Sequence, residues 1–227
     1  QQVDDLRNET RALRESSTQL STALRGSSKA RGQWGQTTLK NVAEAAGMLE
    51  HCDFAVEVTL KSGAEGARVD LLARMPGGGA IPVDAKVPLA AYWDGLQQPA
   101  EARQGYMKSH AKSVRFHIDD LARRNYPTYI EGGADFTVLF IPAEPILAAA
   151  FEADPELQDY AFNKRILVAS PVSLIALLRT VAIYWQQHTL AENARTIYEV
   201  SLELYDRTAK FGEDLNKVGK GLDQAVR

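Results

Sequence analysis

Apolar residues fall into three regimes along this chain. Near the start, Val3, Leu6, Thr10, Leu13, Ser17, Leu20 and Leu24 recur in alternating steps of three and four, with mostly polar residues between them. That stripe predicts a coiled-coil helix over 1–27, weakened by Thr10 and Ser17 and broken at Gly26-Ser27-Ser28. The far end repeats the pattern more cleanly. One row is Leu190, Ile197, Leu204, Phe211, Val218 and Ala225; the other is Ala194, Ser201, Thr208, Leu215 and Leu222. These rows predict a second coiled-coil segment over 189–227. Ser170-Pro171 is a good helix start, and no proline follows it, so the C-terminal helix is expected to begin there and run through the heptads. Such heptads either pack within the chain or join copies of it into a homo-oligomer.

Between the stripes the period changes. A helix is expected over 36–46, closed by Gly47. Strands are expected over 54–60, 68–73 and 81–86, the last two joined by Met75-Pro76-Gly77-Gly78-Gly79. Residues 89–125 look helical with a break near Pro99. The apolar run over 135–141 predicts a strand buried on both faces. Short helices over 144–151 and 155–163 and a buried strand over 165–169 complete the series. The order predicts an α/β core over 28–188, with a mixed central sheet flanked by helices.

Composition adds limits. The chain has 227 residues and a formal net charge of −3. Any binding to DNA therefore needs a local basic patch or bridging cations rather than a global field. The single cysteine, Cys52, is taken as structural. No apolar stretch is long enough to span a bilayer and no signal peptide is visible, so no membrane contact is expected of this segment. Both ends lie inside helical patterns, which suggests a piece of a longer chain.

The hairpin carries the candidate chemistry. Asp70 and Asp84 each stand seven residues from Gly77, so a turn centred there sets them opposite each other. Opposed side chains in an antiparallel pair lie roughly 5 Å apart at Cβ, and two carboxylates so placed repel unless positive charge sits between them. Lys86, two residues beyond Asp84, points from the same face. Two acids and a lysine suit phosphodiester hydrolysis with a divalent cation: the acids hold the ion and the lysine steadies charge on phosphate. The plain alternative is a solvated hairpin in which Asp70 and Asp84 pair with Arg68 and Lys86.

Longer strings narrow the choice. Arg31-Gly32-Gln33-Trp34-Gly35-Gln36 and Glu44-Ala45-Ala46-Gly47-Met48 resemble signatures of the RmuC family. So do Val83-Asp84-Ala85-Lys86-Val87-Pro88-Leu89, Phe140-Ile141-Pro142-Ala143-Glu144, Ser170-Pro171-Val172-Ser173-Leu174 and Leu178-Arg179-Thr180-Val181-Ala182. The resemblance implies a restriction-endonuclease-like PD-(D/E)xK core, a role in DNA recombination, DNA as partner, and Mg²⁺ or Mn²⁺ as cofactor. It also implies an upstream coiled coil and, in the full-length chain, a possible membrane anchor. The expected location is cytoplasmic, at the nucleoid or the inner face of the membrane. Carried over, Asp70 and Asp84 become metal ligands and Lys86 the catalytic lysine. Gln36 stands where the family usually has Glu, so a ligand there would be neutral, and Glu57 or Glu44 could take its task. Trp185-Gln186-Gln187-His188 also departs from the family run.

Other residues have simpler readings. Lys108, Lys112, Arg115, Arg123 and Arg124 make the middle helix basic, and the first three are candidate DNA contacts. His110 and His117 are one heptad apart, too far for a helical zinc pair. Gly77-Gly78-Gly79 lacks the Lys-Ser/Thr of a phosphate loop. Trp34 and Trp93 are expected in the core, and Glu144 at a helix start.

Overall fold

A computed structural model describes residues 27–58, 67–130 and 132–226, with side chains described except at 55–58, 67 and 223–226. The heptads of residues 1–26 lie outside this range. The described elements are α1 (Ser28–Ala45), β1 (Cys52–Val58), β2 (Ala67–Arg74), β3 (Ala80–Ala85), α2 (Ala90–Leu96), α3 (Ala100–Arg124), β4 (Thr137–Phe140), α4 (Glu144–Ala153), α5 (Leu157–Asn163), β5 (Ile166–Ala169) and α6 (Pro171–Val226). The five strands form one sheet in the order β1-β2-β3-β4-β5. The first three are antiparallel; β4 and β5 run parallel to β3. The expected mixed sheet with flanking helices is therefore present.

Helix α1 starts eight residues before the sequence expectation, at Ser28 rather than 36. Ser27 supplies the reason: its Oγ accepts from Ala30 N–H at 3.2 Å, a side-chain N-cap. Gly32 and Gly35 lower the propensity of this stretch, but Gly35 has a packing role. A Cβ there would stand 3.3 Å from Val87 and 3.5 Å from Ala85, so its absence lets α1 approach the end of β3.

Strand β4 is buried throughout, and β3 is buried from Ala80 to Asp84. Both are interior strands, which accounts for the unbroken apolar run seen in β4. Pro82 is tolerated within β3 because the β3–β4 ladder begins only at Val83. Val114, Ile118 and Leu121 of α3 pack with Leu139 of β4 and Ile166 of β5 in the main apolar cluster, with Trp34 and Trp93 partly buried against it. His110 is fully buried, its ring nitrogens 3.1 Å from Pro88 O and 2.8 Å from Ile146 O. It ties α3 to the chain on either side of it and is structural.

Two local devices hold the frame. Gly77, Gly78 and Gly79 all have positive φ, and Met75 N–H closes the hairpin turn on Gly79 O at 3.0 Å. A Cβ on Gly79 would fall 1.9 Å from Gly132 O. At the start of α6, Ser170 and Ser173 cap each other: Ser173 Oγ accepts from Ser170 N–H at 2.8 Å and Ser170 Oγ from Ser173 N–H at 3.4 Å. Glu144, expected to serve its own helix start, also accepts from Val172 N–H at 3.2 Å. The chain divides into two units, Gln1–Ala182 and Ile183–Arg227, the second formed by the rest of α6. No helix among the described residues is long and apolar enough to cross a membrane.

Two predictions follow from this packing. Burial, then the neighbouring Asp53, pushes the Cys52 thiol up to about 11, so at pH 8 only about one part in a thousand is thiolate. A disulfide reagent at pH 8 should leave the native protein unmodified over minutes and titrate one thiol after denaturation; rapid native reaction would contradict a buried structural role. Gly79→Ala combines a left-handed backbone with a backbone clash, so chemical denaturation should show a loss of about 2–4 kcal/mol. A loss below about 0.5 kcal/mol would mean that the turn can move away from Gly132.

Candidate active site

The site is built where the hairpin ladder ends. Leu71–Val83, Leu72–Pro82, Ala73–Ile81 and Arg74–Ala80 pair in the register centred on Gly77. One step further along, Asp70 comes opposite Asp84. The next backbone donor on that edge, Ala85 N–H, is taken by Asp70 Oδ2 at 2.9 Å instead of by a ladder partner. Asp70 thus replaces a strand hydrogen bond with a charged one, which fixes its carboxylate over the end of β3. Gln36, about two turns into α1 on its exposed side, donates from Nε2 to Asp70 Oδ1 at 3.3 Å.

Asp84 is the deeper acid, with 2% of its side chain exposed. Lys86 Nζ donates to its Oδ2, as expected for two residues on the same strand face. A second cation reaches it from the opposite side of the chain's order. Arg124, the last residue of α3, places NH1 3.6 Å from Asp84 Oδ1. Arg124 is itself held: NH2 donates to Asp120 Oδ2 at 2.6 Å and NH1 to the Tyr126 hydroxyl at 3.1 Å. The Tyr126 hydroxyl donates onward to Arg68 O at 2.9 Å. Asn125, in the left-handed conformation at φ 45°, ends α3 and turns the chain so that the fully buried Tyr126 can reach back to β2. A relay therefore runs from β2 through Tyr126 and Arg124 to Asp84.

Burial pushes the Asp84 carboxyl above the ordinary carboxylate range; Lys86 pulls it down, Asp70 adds to the rise and Arg124 opposes it. Burial likewise holds His117 below the ordinary imidazole range, with Lys86 and Arg124 adding to the fall and Asp120 opposing it. His117, Asp120 and Arg124 follow the three-and-four spacing of one α3 face. In the sequence, His117 stands out only for its heptad distance from His110, and Arg124 only as one of several basic residues on the helix. The contact between α3 and β3 could not be found from either segment alone.

The remaining expected residues are placed elsewhere. Arg115 lies in a bidentate pair with Asp154 and over the Tyr160 ring at 4.3 Å. This engagement ties α3 to the α4–α5 segment, so Arg115 serves packing. Lys112 and Lys108 are exposed on α3, roughly 18 and 24 Å along the helix from Arg124 at 1.5 Å per residue. The basic contribution at the site comes from Arg124 instead. Glu57 pairs in register with Arg68, two positions from the residue opposite Asp70; its side chain lies outside those described.

Two adjacent carboxylates suit Mg²⁺ or Mn²⁺, and burial holds the Asp84 carboxyl above the ordinary range although Lys86 and Arg124 face it. Among the described residues, no group of three or more His, Cys, Asp or Glu side chains is placed to hold a metal. Gln36 turns its amide nitrogen, not its oxygen, toward Asp70, so in this arrangement it acts as a donor to the acid. The two aspartates fit a hard cation; a third ligand from protein is not in place among the described side chains.

The family model described as RmuC family matches residues 1–227. The chain is 41% identical over 226 residues to the DNA recombination protein RmuC homolog of Zymomonas mobilis, covering 99% of this chain and 50% of that protein. It is 39% identical over 217 residues to the homolog of Pseudomonas aeruginosa, covering 93% and 47%. Against the DNA recombination protein RmuC of Escherichia coli K12 it is 33% identical over 210 residues, covering 91% and 44%. The chain thus spans about half the length of these curated relatives. No solved structure matches it. On the strength of the whole-length match, the chain belongs to the RmuC family.

Proposed function

We propose that this chain is the nuclease core of a DNA recombination protein, hydrolysing phosphodiester bonds in DNA at Asp70, Asp84 and Lys86 with Mg²⁺ or Mn²⁺. On this reading the mixed sheet and its helices form a restriction-endonuclease-like core. The observation that carries it is Asp84: a carboxylate 2% exposed, beside a second carboxylate, with two cations converging on it. Such a group costs several kcal/mol to desolvate, and well-packed apolar residues would stabilise a fold as well or better. Family membership supplies the DNA recombination setting.

The residues divide the work by position. Asp70 is anchored on Ala85 N–H and Asp84 on Lys86; together they would hold the cation. A divalent ion so held polarises phosphate and lowers the pKa of bound water. Lys86 and Arg124, 26% and 37% exposed, present two positive charges toward the acids while still reaching solvent. Either can pair with a phosphate oxygen as negative charge grows on it. Tyr126 and Asp120 fix Arg124, so its guanidinium is aimed before DNA arrives. Burial, with Lys86 and Arg124 nearby, disfavours the charged form of His117, which limits further positive charge beside the acids.

A second reading is a DNA-associated protein that keeps the fold without cutting. Two observations favour it: Gln36 has no charge where the family usually places an acid, and Lys86 and Arg124 already balance Asp84 without a metal. Incubating the protein with circular and linear DNA and Mg²⁺ or Mn²⁺ separates the two. Cleavage should appear with wild type and fall about a hundredfold or more in Asp84→Asn and in Lys86→Ala, with DNA binding measured in chelator retained by Asp84→Asn and circular dichroism showing that both variants fold. Equal cleavage by both variants would place the active site elsewhere; binding with no cleavage in any metal would support the second reading.

Stability offers an independent check. The folded-state carboxyl of Asp84 is raised, so the native state holds its proton longer than the unfolded chain does. Stability from this group is present below the unfolded carboxylate value, about 3.9, and is lost as pH rises through the folded value. The melting temperature of wild type minus that of Asp84→Asn should fall across that window. Millimolar Mg²⁺ should recover part of the loss in wild type only, because it favours the ionised acid. A difference that rises with pH, or an equal Mg²⁺ effect on the variant, would contradict the assignment.

A further inference from the structure

The second unit, residues 183–227, presents an apolar face that nothing among the described residues covers. Leu190, Ile197, Leu204, Phe211, Leu215 and Leu222 are each more than half exposed. In heptad terms the larger row occupies d and the row from Ala194 to Leu222 occupies a. Apart from Arg207 and Asp214, which flank the apolar rows, charges lie on the other side, where Arg195–Glu199 pairs at 3.0 Å along the helix. A five-heptad face of this kind is stable in water only against another apolar surface.

We infer that this face binds a second copy of the chain in an antiparallel two-helix coiled coil centred near residues 209–210. The argument is self-complementarity. In an antiparallel pair, a positions meet d positions of the other copy. Centred here, Ser201 meets Val218, Thr208 meets Phe211, Leu215 meets Leu204 and Leu222 meets Ile197, so the two polar core residues each face a larger apolar one, and Ala194 meets Ala225 only at the ends. The Ser201 and Thr208 hydroxyls are already satisfied by Ile197 O and Leu204 O at 2.7 Å, so burying them strands no donor. The flanking positions match in the same register. Tyr205 and Tyr198 stand against Gly212 and Gly219 of the second copy, and Val200 stands against its Gly221. All three glycines have open space beyond them.

Charge completes the match. Arg207 meets Asp214 of the second copy, and the twofold axis repeats the contact. Arg207 also binds Glu203 at 2.6 Å and Asp214 binds Lys217 at 2.9 Å within the helix, so each contact becomes a row of four alternating charges. A parallel pair has none of this. It would stack Thr208 on Thr208 and Phe211 on Phe211, and would set Arg207 and Asp214 against glycines. This inference is independent of the nuclease reading.

Sedimentation equilibrium of the whole chain tests it, with helicity followed by circular dichroism. Wild type should be dimeric. Arg207→Asp and Asp214→Arg should each weaken the dimer about tenfold by turning two attractions into repulsions. The double variant should recover most of that loss, although it worsens both intrahelical pairs. Gly212→Leu should keep or raise helicity yet weaken the dimer, since its side chain would meet Tyr205 of the second copy. A monomer at every concentration overturns the proposal. So does a double variant weaker than either single one, the outcome expected if the charges act only within one helix. Insensitivity to all three reversals would instead point to a parallel pair, or to the heptads of 1–24 as the covering segment.

Discussion

Asp84 is a carboxylate taken out of water in the middle of a sheet, and the surrounding structure has to answer for its charge. Lys86 answers from the same strand. Arg124 answers from the end of a helix about forty residues later in the chain. Removing either cation would leave a buried charge under-compensated, a change that ranks among the more destabilising ones a fold can suffer. The positions of β3 and the end of α3 are therefore linked through one side chain, and the geometry of the candidate site is inseparable from the packing of the core.

That linkage explains several local features that look unrelated along the sequence. Asn125 adopts a left-handed conformation so that α3 stops and Tyr126 turns inward. Tyr126 then binds both Arg124 and the backbone of β2. The three hairpin glycines allow the turn to sit against Gly132, which keeps β2 and β3 in the register that brings Asp70 beside Asp84. Asp70 takes the Ala85 amide where the ladder stops, converting the end of a strand pair into an anchored acid. The positive-φ glycines lie at the turn end of the hairpin and the two acids at its open end, seven residues away along each strand.

The second unit obeys a different rule. Its helix gains nothing from a sheet, and its large side chains stand in solvent along one face. The mixed-sheet core and the exposed helix make different uses of the same chain: one gathers cations around a buried acid, the other presents apolar surface along one face. The hydrophobic period distinguishes them, because the core alternates periods of two and about 3.6 while the C-terminal rows hold to seven.

Much of the local structure was determined by sequence alone. The hairpin register followed from counting outward from Gly77, because strand pairing across a short turn has a constant offset. Asp70, Asp84 and Lys86 could be grouped for the same reason, since all three belong to one ribbon. The break at Pro99, the buried β4 and the Ser170 cap were equally legible, each resting on residues adjacent in the chain. Only tertiary structure decided which basic residues of α3 approach the acids. Lys108, Lys112 and Arg115 are the expected DNA contacts of this helix, whereas the residue that reaches Asp84 is Arg124, because the rotation and sliding of a helix over a sheet are set by side-chain packing. It also decided that Gln36 would offer its nitrogen to Asp70 and that α1 would begin at Ser28. These outcomes depend on contacts between segments far apart in the chain, and no periodicity within either segment encodes them.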